Sequence, residues 1–210
     1  MKIAIFDFDG TLLDGETIEN ILKDEPEKYH QMKELNQKGV QGLVDFTTLY
    51  LQKINLLKGI SRKTVSKNLR DQTYMEGAQQ LIRHLKNLGY KVIVMSGAFE
   101  EAIQIAQKNL GFDLYYCNTL IYDENDCLTG QVVGPCMTIE SKGDLVRKIR
   151  CLFDDDLYIL ACGDGRNDVS LFEEANFSVA YHSRCVALRD IAKRCIEGDE
   201  NWYSLIDKIV

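Results

Sequence analysis

Two prolines and one tryptophan in 210 residues, with no low-complexity tract, leave nothing that reads as a linker or an extended disordered segment. Long apolar runs are missing as well. No stretch reaches the roughly 18 residues that a membrane-spanning helix needs, so no membrane partner is expected. The opening run Met-Lys-Ile-Ala-Ile-Phe-Asp lacks the apolar length of a signal peptide, and a cytoplasmic location is expected. Positive charge is short: 25 Lys and Arg stand against 32 Asp and Glu, a net charge of -7. That excludes the broad basic face of a nucleic-acid binder. It also means that any anionic ligand must find local positive charge in a metal ion, a few lysines or helix N-termini. The seven cysteines are odd in number and scattered, without a CxxC pair. They read as free, mostly buried thiols of a reducing compartment rather than a zinc or disulfide framework.

What is present is an alternation of elements. Lys2–Phe8, Lys91–Met95, Leu157–Cys162 and Phe177–Tyr181 are short runs rich in Ile, Val, Leu and Tyr, the pattern of strands buried on both faces. Between them, 77–88, 100–110, 142–152, 168–174 and 185–194 carry helical periodicity. Strand alternating with helix predicts an α/β fold, a doubly wound, Rossmann-like parallel sheet with helices on both sides. Ligands of such sheets bind at the carboxyl ends of the strands. Two stretches interrupt the alternation. Residues 15–74 show only charged helical pattern and are expected to form a small inserted helical cap, leaving 1–14 and 75–210 as the core. Residues 114–134 alternate around Asp123-Glu124-Asn125-Asp126 and predict a β-hairpin flap.

Three of the predicted strands end in polar residues. The first runs into Asp7-Phe8-Asp9-Gly10-Thr11. Strand alternation would put Asp7 and Asp9 on one side, where two carboxylates repel by about 4 kcal/mol at an effective dielectric of 20. A bound cation or a proton must compensate; an acidic turn is the plainer alternative. The second strand leads to Ser96-Gly97, where the serine is either a helix N-cap or, with neighbouring N–H groups, a cradle for a phosphate oxygen. The third leads to Gly163-Asp164-Gly165-Arg166-Asn167-Asp168. A calcium loop is a poor fit, because Arg166 takes a ligand position and the glycine expected at the sixth position is missing. A third carboxylate beside the first two would instead complete an oxygen site suited to Mg²⁺. Lys142 is expected in the first turn of its helix, behind Ser141 and with Asp144 placed as in a capping box. A cation there opposes the helix dipole, a placement that makes sense if the ammonium faces carboxylates and phosphate.

Taken in order, Asp7-x-Asp9-Gly10-Thr11, Ser96, Lys142 and Gly163-Asp164-Gly165-x-Asn167-Asp168 resemble the four motifs of the haloacid dehalogenase superfamily, spanning almost the whole chain. Within it the chain is similar to the phosphoserine phosphatase branch. The similarity lies in Gly15-Glu16-Thr17-Ile18, in Asp45-Phe46 through Leu56-Leu57-Lys58-Gly59, and in Asn118-Thr119-Leu120, Leu128-Thr129-Gly130 and Ser141-Lys142-Gly143. The resemblance implies a Mg²⁺-dependent phosphomonoester hydrolase. In it Asp7 is the nucleophile that becomes an aspartyl phosphate, Asp9 the general acid and base, and Lys142 a stabiliser of the moving charge. It implies metal ligation by Asp7, Asp9 (through its main-chain carbonyl) and Asp164, with Asp168 assisting. It further implies that Ser96, Gly97 and Asn167 bind the phosphate side of a small phosphorylated metabolite, and that Glu16, Phe46 and Lys53 face its headgroup.

The chain departs from that branch at three places. Gly10 stands where serine is usual, Arg166 where a small residue is usual, and Lys53 where an arginine grips the substrate carboxylate. Lysine pairs with a carboxylate but lacks the two-pronged guanidinium geometry. The expected substrate is therefore phosphoserine. Phosphocholine, phosphoethanolamine or another small phosphomonoester are the alternatives, with phosphoryl transfer to an organic acceptor behind them. A non-catalytic phosphate binder is the remaining reading, and it has no chemical need for Asp9.

Overall fold

The computed structural model describes residues 1–40, 43–153 and 157–206. A seven-stranded sheet in the order β4-β3-β2-β1-β5-β6-β7 forms its centre. The strands are β1 Lys2–Phe6, β2 Tyr90–Phe99, β3 Leu114–Tyr122, β4 Leu128–Val133, β5 Tyr158–Gly163, β6 Phe177–Tyr181 and β7 Arg194–Ile196. All neighbours are parallel except β3 and β4. Period-two alternation feeds two apolar layers. Ala4, Phe6, Val92, Val94, Leu160 and Cys162 face one, whereas Ile3, Ile5, Ile93, Met95, Ile159 and Ala161 face the other. Helices α5 (Ala78–Asn87) and α6 (Glu100–Leu110) cover the first layer. The second lies under α7 (Ser141–Arg150), α8 (Val169–Glu173) and α9 (Val186–Ile191).

The doubly wound parallel sheet expected from the pattern is therefore observed. The chain runs from β1 outward through β2 and β3, then returns to lay β5 against the other side of β1. A crevice opens at such a reversal, beyond the carboxyl ends of β1 and β5. Register brings Phe6 level with both Val94 and Cys162, so the residues that follow β1 and β5 emerge side by side, next to the last part of β2.

Four helices stand between β1 and α5: α1 Thr17–Leu22, α2 Pro26–Val40, α3 Phe46–Leu56 and α4 Arg62–Leu69. Asp45 caps α3 by accepting from the Thr48 N–H at 3.0 Å, and Ser61 caps α4 through Thr64. Ile21, Leu22, Ile54, Leu57, Val65 and Leu69 are buried in the same apolar cluster as the first core layer. The hairpin at 114–134 forms as expected but is no free flap. Its first strand continues the parallel sheet beside β2, and its far end is stitched to the segment before α4. There Gly59 N–H donates to the Leu128 carbonyl (2.7 Å) and Leu128 N–H to that of Ile60 (2.8 Å).

Several local expectations are corrected. β1 stops at Phe6 rather than Phe8, because Phe8 turns inward to close a tight turn whose carbonyl accepts from Thr11, Leu12 and Leu13. The helix expected over 185–194 ends at Ile191, and Arg194–Ile196 pairs with β6 as an edge strand too short to show a period. The cysteines are free as expected but not mostly buried. Cys136 and Cys162 alone are, while Cys117, Cys127, Cys185 and Cys195 are half-buried and Cys151 is exposed. No helix among the described residues is long and apolar enough to cross a membrane.

Candidate active site

Asp7 is the first residue beyond β1, and its N–H donates to the Cys162 carbonyl of β5 at 2.9 Å. This bond carries the pairing one residue past the strand and fixes the carboxylate at the crevice. Oδ1 accepts from the Phe8 N–H at 2.6 Å, and Oδ2 lies 2.8 Å from Lys142 Nζ. The same ammonium donates to Asp168 Oδ1 at 2.5 Å. Lys142 is 1 % exposed and Asp168 fully buried, so this is a dry ion pair. Burial works against the ammonium, but Asp168 and Asp7 outweigh it and hold Lys142 above its ordinary range. The lysine is in the first turn of α7, as expected, whereas the capping box is not formed. Glu140 takes the N-cap position without a side-chain bond, Ser141 Oγ turns back to the Thr138 N–H (2.9 Å), and Asp144 pairs with Arg147. Ser141 is already inside the helix, one residue too late to act as its cap.

Asp168 closes the loop that follows β5. Its Oδ2 accepts from the N–H groups of Asp164 and Gly165, which shapes residues 164–168 into a tight turn. Gly163 allows this approach, since a Cβ there would sit 2.4 Å from the Asp168 carboxyl carbon. Asp164 in turn receives the Thr11 hydroxyl at 3.1 Å, and Gly10, with φ +70°, passes so close that a Cβ would lie 2.6 Å from Asp164 Oδ2. The left-handed φ and this close approach both favour the glycine by which the chain departs from the resembling branch. Asn167 is half-buried in the same turn, and Arg166 is exposed.

Asp7, Asp164 and Asp168 each present an oxygen, all within 4.8 Å of one another. The Lys142 ammonium pairs with two of these three carboxylates, Asp7 and Asp168. Burial, then Asp7, Asp168 and Glu16, push Asp164 well above the usual carboxylate range. Burial and Asp7 push Asp168 up to about 7 even against Lys142. Carboxylates forced toward protonation by one another are short of positive charge, and an all-oxygen donor set of this kind fits a hard divalent cation.

Asp9 has a different setting. With the chain out of strand geometry at Phe6, alternation no longer fixes its direction. Its Oδ1 turns to α1 and accepts from Thr17, from the hydroxyl at 2.5 Å and from the N–H at 3.0 Å. Burial and Glu16 raise its pKa well above the ordinary value; Thr17 opposes the shift, and Asp7 contributes less than Glu16. The strongest like charge beside Asp9 is thus Glu16 rather than the expected Asp7.

Ser96 is not the N-cap of α6, a place taken by Phe99. It sits buried within β2, where the pairing with β3 is irregular between Met95 and Phe99, and its Oγ accepts from the Ala98 N–H at 3.1 Å. The Gly97 carbonyl accepts from the Tyr50 hydroxyl at 2.8 Å, a bond from α3 to the core. Phe46, Tyr50 and Lys53 follow helical spacing along one face of α3, with the Phe46 and Tyr50 rings stacked 6.4 Å apart. Glu16 has ample solvent-reachable surface yet is crowded by protein, as a group lining a cleft is. Burial raises its pKa, and Lys53 is the leading opposing charge. No direct bond between Glu16 and Lys53 is observed among the described residues; they interact as charges across the cleft.

The pattern did not single out Thr17, Tyr50, Asn118 or Trp202 for roles. Trp202 donates Nε1–H to the Thr11 carbonyl at 2.9 Å and stacks on Tyr181, bracing the turn behind Asp7 from the far end of the chain. Only its being the sole tryptophan marks it in the sequence.

The fold and this arrangement of acids, lysine and strand ends define a hydrolase of one family. Residues 4–173 match the haloacid dehalogenase-like hydrolase family, and the chain belongs to it. It is 34% identical to a phosphoserine phosphatase of Methanocaldococcus jannaschii over 93% of this chain and 92% of that protein. It is 37% identical to a phosphoserine phosphatase of Wolinella succinogenes over 94% and 95%. A solved phospho-aspartyl intermediate analogue of phosphoserine phosphatase superposes with a TM-score of 0.88 at 31% identity, over 100% of this chain and 99% of that one. The substrate-bound form of a phosphoserine phosphatase superposes equally well, with a TM-score of 0.88.

Proposed function

We propose that the protein is a Mg²⁺-dependent phosphomonoesterase that hydrolyses phosphoserine through a phosphorylated Asp7. The observation that carries this reading is the division of labour between two nearby aspartates. Asp7 is held beside the ammonium of Lys142, while Asp9 is turned away from that pair and pushed toward its protonated form. A nucleophile must be ionised and a general acid protonated, and environments that set two carboxyls apart in this way assign the roles.

Asp7, Asp164 and Asp168, with the main-chain carbonyl of Asp9, would hold the Mg²⁺. Once bound, the ion would offset the crowded carboxylates and the phosphate charge. An Asp7 oxygen attacks phosphorus, the phosphorus–oxygen ester bond breaks, and Asp9 delivers its proton to the departing serine oxygen. Water then attacks the aspartyl phosphate while Asp9, now ionised, takes its proton. Phosphate leaves and Asp7 is regenerated. Lys142, Ser96, the main chain at Gly97 and Asn167 stabilise the phosphoryl oxygens during both transfers. Glu16 pairs with the substrate amine, Lys53 with its carboxylate, and Phe46 packs against the headgroup. The helices over 15–74 form a cap that excludes water from the transfer.

One observation favours a second substrate within the same chemistry. Lys53 lacks the guanidinium fork that grips a carboxylate in the related branch, and Glu16 without an arginine partner is compatible with an amine that carries no carboxylate. Phosphate release from L-phosphoserine, phosphocholine, phosphoethanolamine and an aryl phosphate, each with Mg²⁺, separates the readings. Preference for L-phosphoserine is expected; equal or faster turnover of phosphocholine would replace the substrate and keep the mechanism.

A further inference from the structure

Helix α3 carries one hydroxyl that reaches the core. The Tyr50 hydroxyl donates to the Gly97 carbonyl at 2.8 Å and accepts from Asn118 Nδ2 at 2.7 Å. Asn118 is fully buried and aimed by a reciprocal pair of bonds with Cys136: Nδ2 donates to its carbonyl at 2.8 Å, and Oδ1 accepts from its N–H at 3.0 Å. Tyr50 is thus seated at a preformed socket, with its ring against the stacked Phe46 and its edge over Gly97, where an added Cβ would lie 3.7 Å from Tyr50 Cε2.

The bond acts on more than the cap. The Gly97 carbonyl and the Ala98 N–H belong to one planar peptide, so fixing the direction of the first fixes that of the second. That N–H donates to Ser96 Oγ at 3.1 Å. With one lone pair of Oγ occupied in this way, the rotation of the serine hydroxyl is restricted and its proton is left to donate elsewhere.

We infer that Tyr50 is a positioning residue for the phosphate grip: its bond to Gly97 orients the 97–98 peptide, which turns the Ser96 hydroxyl toward the substrate phosphate. Seating of α3 and readiness of Ser96 are then one event, and a phosphate is gripped fully only beneath a seated helix. This rests on the proposed role of Ser96 in holding phosphate.

Tyr50→Phe removes the hydroxyl and keeps the ring and its stacking, and a melting temperature with Mg²⁺ checks that the fold is retained. An aryl phosphate is the substrate, so that the headgroup contacts of Glu16 and Lys53 do not enter, and inorganic phosphate is the competitor. A loss of about tenfold in kcat/KM and in phosphate affinity is expected, the size of one well-placed hydrogen bond. Ser96→Ala should lose at least as much, and the double variant no more than Ser96→Ala alone, because Tyr50 acts through Ser96. Full additivity of the two losses, or a Tyr50→Phe protein indistinguishable from the parent, overturns the inference. Asp7→Asn in parallel separates the two levels: continued turnover there overturns the phosphatase reading itself, whereas an inactive Asp7→Asn beside an unaffected Tyr50→Phe removes only the role of Tyr50.

Discussion

The two sides of the crevice are built on different principles. On the core side, Lys142 touches Asp7 and Asp168 directly, all three are buried, and main-chain bonds beyond the ends of β1 and β5 fix the two aspartates. On the cap side, Glu16 and Lys53 face each other as charges without a direct bond, and Lys53 is only half-buried. In the proposed mechanism the core side holds the reacting groups, which tolerate almost no displacement because transition-state stabilisation depends on preorganised geometry. The headgroup contacts proposed for Glu16 and Lys53 act at longer range and are open to retuning. Substituting the core side should therefore abolish chemistry, and substituting the cap side should shift selectivity.

Short of removing the nucleophile itself, the largest effect is expected from Lys142→Met, which leaves Asp7 and Asp168 buried without their cation. Activity should fall by at least about 10³-fold, in line with removal of charge stabilisation from a reacting centre. Breaking a buried pair costs roughly 3–5 kcal/mol of stability, measurable by denaturant unfolding in the presence of a chelator. A near-normal unfolding midpoint would show that the carboxylates are relieved in some other way.

Removal of divalent metal should come next, with turnover falling to background in chelator and returning with Mg²⁺. Its pH dependence sharpens the comparison. Asp168 is raised from an ordinary 3.8 to about 7, and Asp164 is raised as well. In the metal-free protein the native state holds these protons over a range where the unfolded chain has released them. The stability they contribute is full below about pH 4 and is lost as the pH rises through 7. Mg²⁺ replaces the protons, so the rise in melting temperature on adding it should be larger at pH 7.5 than at pH 5. An increment that shrinks with rising pH would contradict the assignment of these carboxylates as ligands.

The smallest effects belong to the cap. Lys53→Ala should raise KM for phosphoserine by about tenfold with little change in kcat, the signature of a binding contact. Turnover of an aryl phosphate should be unchanged. Lys53→Arg should lower KM for phosphoserine, because the fork can grip a carboxylate with two bonds. A kcat loss in Lys53→Ala equal to its loss in kcat/KM would place that lysine in the chemistry and erase the distinction between the two sides.

The same contrast explains what could be read from the amino-acid order. The core side was legible because parallel strands oblige their following residues to converge: once β1 and β5 are recognised as neighbouring buried runs, Asp7 and Asp164 must emerge together, whereas Ser96 lies inside a β2 that continues to Phe99. Lys142 was legible because a cation in the first turn of a helix is electrostatically misplaced unless anions face it. The supports were not legible. Thr17 bonding Asp9, Asn118 bonding Tyr50 and Trp202 bonding Thr11 span 8, 68 and 191 residues, and no local period encodes such pairings. The capping box at Ser141 failed for a related reason. The spacing is compatible with it, but the hydroxyl found a partner in Thr138. Edge strand β7, three residues long, is set by pairing with β6 and carries no pattern of its own.

The central claim is that the phosphoryl group passes through Asp7, and the most direct test is phosphate release from L-phosphoserine by Asp7→Asn with Mg²⁺. The amide nearly matches the carboxylate in shape and keeps an oxygen toward Lys142, while losing the charge and the nucleophile. Release should fall to background, on the order of 10⁴-fold or more for loss of a nucleophile, with the melting temperature close to that of the parent. Turnover by Asp7→Asn at a rate comparable to the parent would contradict the account, because phosphate would then be reaching water without Asp7.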